Sequence, residues 1–89
     1  MEIEIHDTYV YGKKGQMHFD VAIEHKGKGN NNKLAVKSAK KWLNSIGEKN
    51  AKITSEECNF CHIDDPDQDI KDGIKKNGYA IIKMSGCPK

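Results

Sequence analysis

Two stretches of alternating apolar and polar residues, separated by a short turn, occupy the N-terminal part of the sequence. The apolar or aromatic positions of residues 2–11 are Ile3, Ile5, Tyr9 and Tyr11. Those of residues 17–24 are Met17, Phe19, Val21 and Ile23. Such alternation is typical of strands that bury one face, and "GKKGQ" between the stretches supplies turn residues. The sequence therefore predicts a β-hairpin.

Two helical patterns follow the hairpin. Apolar residues recur with helical spacing over residues 34–46, and we expect Asn32 to cap the start of this helix and Gly47 to follow its end. A second helix is expected to begin at "DP", residues 65–66. It is expected to end at "NG", residues 77–78.

Two further strand patterns complete the chain, "AKITS" at residues 51–55 and "YAIIKM" at residues 79–84. The order β-β-α-β-α-β in a single domain, residues 1–89, predicts an α+β fold of two layers. These layers are a mixed four-stranded sheet and two helices on one face. Because a helical crossover usually joins parallel strands, we expect the second, third and fourth strands to run in the same sense, antiparallel to the first.

The small size of the chain limits its core. A chain of 89 residues, 36% of them hydrophobic, buries a smaller share of its surface than a larger domain does. A bound metal ion or a partner subunit would therefore add usefully to its stability. We accordingly consider an unknown protein partner, including a second copy of the chain in a homodimer.

Charge and hydropathy disfavour nucleic acids and membranes as partners. The formal net charge is only +2 and all 15 cationic side chains are lysines, which lack the planar fork that arginine offers to bases and phosphates. No apolar run approaches the length of a membrane span, and the N-terminus carries acids where a signal peptide carries cations. We therefore expect no nucleic acid, no membrane contact and a cytoplasmic location.

The stretch "EECNFCHIDD" places Cys58, Cys61 and His62 together among carboxylates. In the predicted fold Cys58 and Cys87 both follow the ends of parallel strands, so we expect them to meet at one edge of the sheet. Zinc prefers thiolate and imidazole ligands, and C-x-x-C is a spacing at which one loop brings two sulfurs to one ion. We therefore predict a structural zinc site made by Cys58, Cys61, His62 and Cys87. His25, expected at the same edge, is an alternative fourth ligand.

Two other functions are compatible with the same residues. Without a metal, the chain is expected to be a partner-binding module. If Cys58 and Cys61 form a redox pair, it is a small thiol oxidoreductase, although the neighbouring carboxylates oppose the thiolate that such chemistry needs. The sequence does not decide whether the protein is an enzyme, and we favour a non-enzymatic zinc-binding protein.

Asp7 is a carboxylate on the predicted strand face that otherwise carries Ile5 and Tyr9. Burying an ionised carboxylate is costly unless it is paired or hydrogen-bonded. The simpler interpretation is that Asp7 bonds backbone amides or a tyrosine hydroxyl. The alternative is a polar site shared with a histidine or a lysine. We expect His6 and His18 on the opposite, more exposed face.

Five stretches of the sequence resemble a known family. In chain order they are "HDTYV", "MHFDV", "AKKWLNSIG", "EECNFCH" and "GYAIIKMSGCPK". Together they resemble the small bacterial family numbered twenty twenty-four among the domains of unknown function. The resemblance spans nearly the whole chain and implies a compact bacterial α/β domain, but no substrate, cofactor or catalytic residue. The family pattern includes Asp7, His18, Cys58, Cys61, His62 and Cys87.

Overall fold

The described residues form six elements in the predicted order, although the third strand lies at other residues than predicted. A computed structural model describes residues 1–27 and 29–87, so Pro88 and Lys89 of the C-terminal motif lie outside the described residues. The elements are β1 Ile3–Gly12, β2 Gly15–Glu24, α1 Asn32–Ser45, β3 Cys58–Asp64, α2 Gln68–Asn77 and β4 Ala80–Ser85. The α+β class and the β-β-α-β-α-β order are confirmed.

The four strands form one antiparallel sheet in the order β3-β1-β2-β4. β1 pairs with both β2 and β3, and β2 pairs with β4. The prediction of a mixed sheet is therefore wrong. As expected, α1 joins two strands that run in the same sense, β2 and β3. These two strands are not neighbours in the sheet, because β1 lies between them. α2 joins the two edge strands, which run in opposite senses.

The two helices pack on opposite faces of the sheet. Phe19 and Val21 of β2 belong to the apolar cluster that packs against α1. Their neighbour Ala22 belongs to a separate cluster with Ile5 of β1 and Ile74 of α2. Because successive residues of a strand point to opposite faces, the prediction of two helices on one face is wrong. The physical reason is that both faces of the hairpin carry apolar residues here, and each needs its own cover.

Local signals place the helix ends within two residues of the structure. α1 is capped by Asn31, one residue before the predicted Asn32. The side chain of Asn31 accepts a hydrogen bond from a backbone N–H of the first turn at 3.2 Å. α2 is capped by Asp67 rather than Asp65. Gly78 follows α2 as predicted, with φ at 86°. At 14 and 10 residues, neither of these described helices is long and apolar enough to cross a membrane.

The third strand begins later than its sequence pattern predicts. Residues 51–55 lie in a loop, from which Ile53 packs into the core on the α1 side. The strand is instead Cys58–Asp64, which contains the C-x-x-C-H motif. Every side chain of β3 except that of Cys58 is exposed. β3 is therefore defined by its backbone hydrogen bonds with the open edge of β1. It is not defined by an alternation of buried and exposed side chains.

Candidate functional site

The candidate site lies on the face of the sheet that α2 covers only in part. Toward the start of β1 this face is apolar and packs against α2. Toward the hairpin turn it carries Asp7 and Tyr9 of β1 beside Asp20 and His18 of β2. Asp7 pairs with Asp20, and Tyr9 pairs with His18. Since paired residues and residues two apart share a face, these four side chains form a compact polar and aromatic patch.

Three of these side chains converge. Nε2 of His18 lies 2.6 Å from Oδ1 of Asp7. One ligand-type atom from each of Asp7, His18 and Asp20 lies within 4.8 Å of the other two, and no other histidine, cysteine or carboxylate trio in the described part of the chain does this. The ring of Tyr9 stacks on the imidazole of His18, with the ring centroids 4.1 Å apart. With Asp7 38% and His18 25% exposed, the site is half-buried and open to solvent.

The site corresponds to the alternative interpretation of Asp7, a polar site shared with a histidine. The expectation that His18 lies on the opposite face is wrong. The hairpin register, not the alternation within each strand, brings His18 to the face of Asp7, because a two-residue turn joins Gly12 to Gly15. Counting outward along both strands from this two-residue turn pairs Asp7 with Asp20. The turn is therefore the sequence signal that could have identified Asp20 as the partner of Asp7.

Asp20 is the electrostatically perturbed group of the site. Burial raises the pKa of its carboxyl, and the hydrogen bond with Asp7 and the negative charge of Asp7 raise it further, to about 6. The positive charges of His18 and His62 act in the opposite direction. Two carboxylates in contact cannot both ionise without repulsion. At neutral pH we therefore expect the two carboxylates to repel one another.

A second polar cluster is buried on the other face, beneath the start of α1. Glu4 and His6 are 1% and 0% exposed, and Oε1 of Glu4 lies 2.9 Å from Nε2 of His6. The side-chain amide nitrogen of Asn32 donates to the carbonyl oxygen of Cys58 at 2.8 Å and lies 3.3 Å from Nδ1 of His6. The expectation of an exposed His6 is wrong, since α1 covers this face.

Glu4 is the centre of this buried cluster. Its carboxylate also accepts the backbone N–H of Asn31 at 2.8 Å and lies 3.0 Å from Nδ1 of His25. Burial pushes the pKa of Glu4 upward, but the hydrogen bonds from Asn31, His25 and His6 outweigh it, and the pKa is lowered. Glu4 therefore ties β2 and the start of α1 to β1. Because Glu4 and His6 are buried, we expect their hydrogen bonds to contribute to stability.

Cys58 and Cys61 are separated by the extended backbone of β3. Cys58 is buried and accepts a hydrogen bond from the hydroxyl of Thr8 at 3.4 Å, whereas Cys61 is exposed. Burial raises the pKa of the Cys58 thiol in spite of that hydrogen bond. Three residues of a strand span roughly 10 Å, beyond the Cα separation of about 4.4–6.8 Å that a disulfide needs. The structure does not bring the two sulfurs together.

The remaining predicted ligands lie apart from this pair. Cys87 follows β4, and its Sγ donates to the carbonyl oxygen of His18 at 3.5 Å. Cys58 lies on β3 and the Sγ of Cys87 contacts the backbone of β2, so β1 separates the two cysteines in the sheet. His25 lies at the opposite end of the sheet from Cys87, so the expectation of a shared edge is wrong for it. The zinc site stays a prediction, which requires β3 to rearrange so that four residues meet: Cys58, Cys61, His62 and Cys87.

Comparisons with known proteins agree with the family resemblance. The model of the family described as "Domain of unknown function (DUF2024)" matches residues 1–84. The chain is similar to protein NE1680 from Nitrosomonas europaea, a structural genomics target with an NMR structure. The two are 45% identical, the match covers 99% of this chain and 100% of that chain, and the TM-score is 0.84. No curated protein matches the chain. The chain therefore belongs to the family Domain of unknown function (DUF2024).

Proposed function

We propose that the protein binds a divalent transition-metal ion at Asp7, His18 and Asp20. One observation carries the proposal: an imidazole nitrogen and two carboxylate oxygens lie within 4.8 Å of one another. The three side chains stand on paired strands rather than on loops, and strands hold binding groups more precisely than loops do. An ion can therefore bind without reorganising the backbone.

The donor set favours a particular class of ion. Carboxylates alone suit hard cations such as Mg²⁺ and Ca²⁺, whereas an imidazole shifts the preference toward Zn²⁺ and other first-row transition ions. Zinc lies about 2.0–2.2 Å from nitrogen and oxygen ligands, so small side-chain rotations suffice to enclose it. Three protein ligands leave a coordination position for water.

The charge of the site also favours a cation. Burial raises the pKa of Asp20, and the contact with Asp7, which places two negative charges together, raises it further to about 6. A divalent ion between the carboxylates compensates both charges. Protons compete for the same oxygens, so we expect metal affinity to weaken as the pH falls below about 6.

Isothermal titration calorimetry with Zn²⁺ and Mn²⁺, on protein stripped of metal with a chelator, tests the proposal. We expect wild type to bind one ion per chain and Asp7→Asn and Asp20→Asn to lose that binding. Asp65→Asn removes an exposed carboxylate outside the site and is the matched control. Equal affinity in wild type and both site variants would overturn the proposal.

The predicted cysteine zinc site is separated from this one in the same titration. Cys58→Ser and Cys87→Ser should bind metal as wild type does if the carboxylate site holds the ion. Loss of binding in these two variants, with full binding in Asp7→Asn, would assign the ion to the thiols. Absence of binding in wild type would refute both sites.

A further inference from the structure

We infer that the outer edge of β3 binds an extended peptide strand that is basic on one face and apolar on the other. Such binding needs no metal ion, so it is independent of the proposed metal site. Three features of β3 support it: an open backbone edge, a pair of exposed apolar side chains on one face and carboxylates on the other.

The outer side of β3 has backbone groups to offer. β3 pairs with β1, and no strand pairs with its other side within residues 1–27 and 29–87. The backbone N–H of Tyr9 donates to the carbonyl oxygen of Glu57 at 3.0 Å. Since backbone groups alternate between the two sides of a strand, every second residue of β1 from Tyr9 bonds to β3. Phe60 and Ile63 lie opposite the residues in between, so their N–H and C=O groups point outward.

The open edge of β3 lacks the residues that usually keep edge strands from pairing. Lysine, proline and short length commonly protect such strands. β3 has seven residues, none of them lysine or proline, whereas β4 at the other edge has six and contains Lys83. The side-chain amide of Asn32 covers the outward carbonyl of Cys58 at 2.8 Å. The section from Phe60 to the end of β3 is therefore the part open to a partner.

A β-bulge brings two exposed apolar side chains to one face of β3. Phe60 lies opposite His6, and Ile63 lies opposite Glu4. In a regular strand, residues three apart point to opposite faces, but the extra residue Cys61 puts Phe60 and Ile63 on the α1 side together. The rings of Phe60 and His6, with centroids 5.5 Å apart, agree with this placement. At 38% and 41% exposure, the two side chains leave apolar surface for a partner to cover.

The other face of β3 is acidic. Asp64 lies opposite Ile3, on the α2 side of the sheet, and is 61% exposed. Glu57, whose carbonyl oxygen bonds to Tyr9, lies on the same side at the start of the strand. The two carboxylates therefore bracket this face. A lysine or arginine on an added strand would lie beside them, and opposite charges on neighbouring strands attract.

The two faces of β3 select among possible partners. A second copy of β3 would bring its own carboxylates beside those of the first, and like charges on neighbouring strands repel. A strand that alternates basic and apolar residues fits both faces, with its cations near Asp64 and its apolar side chains on Phe60 and Ile63. In this mode of recognition, backbone hydrogen bonds provide affinity and the alternating side chains provide specificity.

NMR titration of metal-free protein with a short blocked peptide of alternating lysine and valine tests the inference. Without peptide, the amides of Phe60 and Ile63 should exchange their hydrogens faster than that of Asn59, which faces β1. With peptide, we expect both amide signals to shift and their exchange to slow. Two control peptides should bind about tenfold more weakly, because each loses several cross-strand pairs at once. One has its lysines and valines in two blocks, and the other has glutamate in place of lysine.

Variants at the two edges of the sheet provide matched controls. Ile63→Lys removes one apolar side chain, adds a like charge and should bind the peptide about tenfold more weakly. Met84→Lys makes a similar change on β4, where Met84 is 51% exposed, and should bind as wild type. Asp64→Asn should weaken binding at low salt, with a smaller effect at high salt.

Several results would overturn the inference. They are absence of peptide binding, equal binding of all three peptides, and wild-type binding by Ile63→Lys. Slow exchange of Phe60 and Ile63 without peptide, in a dimer that forms as protein concentration rises, would assign the edge to a second copy instead. Because the titration contains no metal, each of these results leaves the proposed metal site standing, and failure of the metal site leaves the peptide result unchanged.

Discussion

Replacing Asp20 by asparagine should stabilise the metal-free protein at neutral pH. Asp20 faces Asp7 across the hairpin, and its pKa is raised from 3.8 to about 6. Ionising this carboxyl therefore costs more in the folded chain than in the unfolded chain. Asparagine has nearly the same shape and keeps hydrogen-bonding capacity, but it carries no charge to repel Asp7.

The size of the effect follows from the two pKa values. A difference of about two pH units corresponds to at most about 3 kcal/mol. Because Asp20 is only partly buried, solvent screening reduces the expected gain to about 1 kcal/mol. Between pH 3.8 and about 6 the folded wild type binds more protons than the unfolded chain, so its stability falls as the pH rises through this range. The advantage of the variant should be absent below that range and complete above it.

Urea unfolding in the presence of a chelator measures this difference. Trp42 is the single tryptophan, and its fluorescence reports on the core because its ring packs against that of Phe19, with the ring centroids 4.7 Å apart. Above about pH 7 we expect about 1 kcal/mol of added stability, equivalent to roughly 4–8 °C in melting temperature. Added Zn²⁺ should reverse the order, because ligand binding stabilises only the wild type. Asp65→Asn should behave as wild type throughout.

The opposite result would refute the reasoning. If Asp20→Asn is less stable than wild type at neutral pH without metal, the Asp20 carboxylate is stabilised by its neighbours and not in conflict with Asp7. If the gain is the same at about pH 4 and above about pH 7, titration of Asp20 is not its cause.

Three further predictions concern the structure outside the site. Glu4→Gln should lower the free energy of unfolding by about 2–3 kcal/mol, because an amide cannot accept from all three donors around Glu4. The stability that wild type gains from the lowered pKa of Glu4 should be lost as the pH falls below 4.5, and urea unfolding measures both effects, with the exposed Glu2→Gln as control. Iodoacetamide followed by mass spectrometry should label Cys61 quickly and Cys58 slowly, since Cys58 is buried and its thiol pKa is raised; equal rates would contradict this. Gly78→Ala should cost about 1 kcal/mol in thermal unfolding, because φ at 86° strains a residue with a side chain, and an unchanged melting temperature would contradict the assigned cap.

The hairpin and both helices could be predicted because their signals are local. The alternation of Ile3 and Ile5, the turn at "GKKGQ" and the caps near Asn31 and Asp67 depend on residues close together in the chain. β3 could not be predicted in its correct place. It pairs with a strand some 50 residues earlier, as the contact between Thr8 and Cys58 shows, and its exposed side chains carry no alternation.

The buried cluster around Glu4 shows a second limit of pattern analysis. Alternation in β1 suggests that Glu4, His6 and Thr8 face solvent, yet all three are buried because α1 covers that face. Both faces of a central strand can be covered in a small fold, and then a polar residue marks a buried hydrogen-bonded group as readily as an exposed one. Which of the two applies depends on where the helices pack.

The sequence alone accounts for the α+β class, the order of the elements and the family, because these depend on local propensity and on short motifs. The partners of each charged side chain depend on tertiary structure. Asp7 meets Asp20 and His18 through the register of the hairpin, and His62 shares their face through a bulge of one residue. A shift of one residue in a strand exchanges its two faces while leaving composition and spacing unchanged. For that reason the cysteine motif suggested one site from the sequence, while the fold brings together a different cluster of side chains, Asp7, His18 and Asp20.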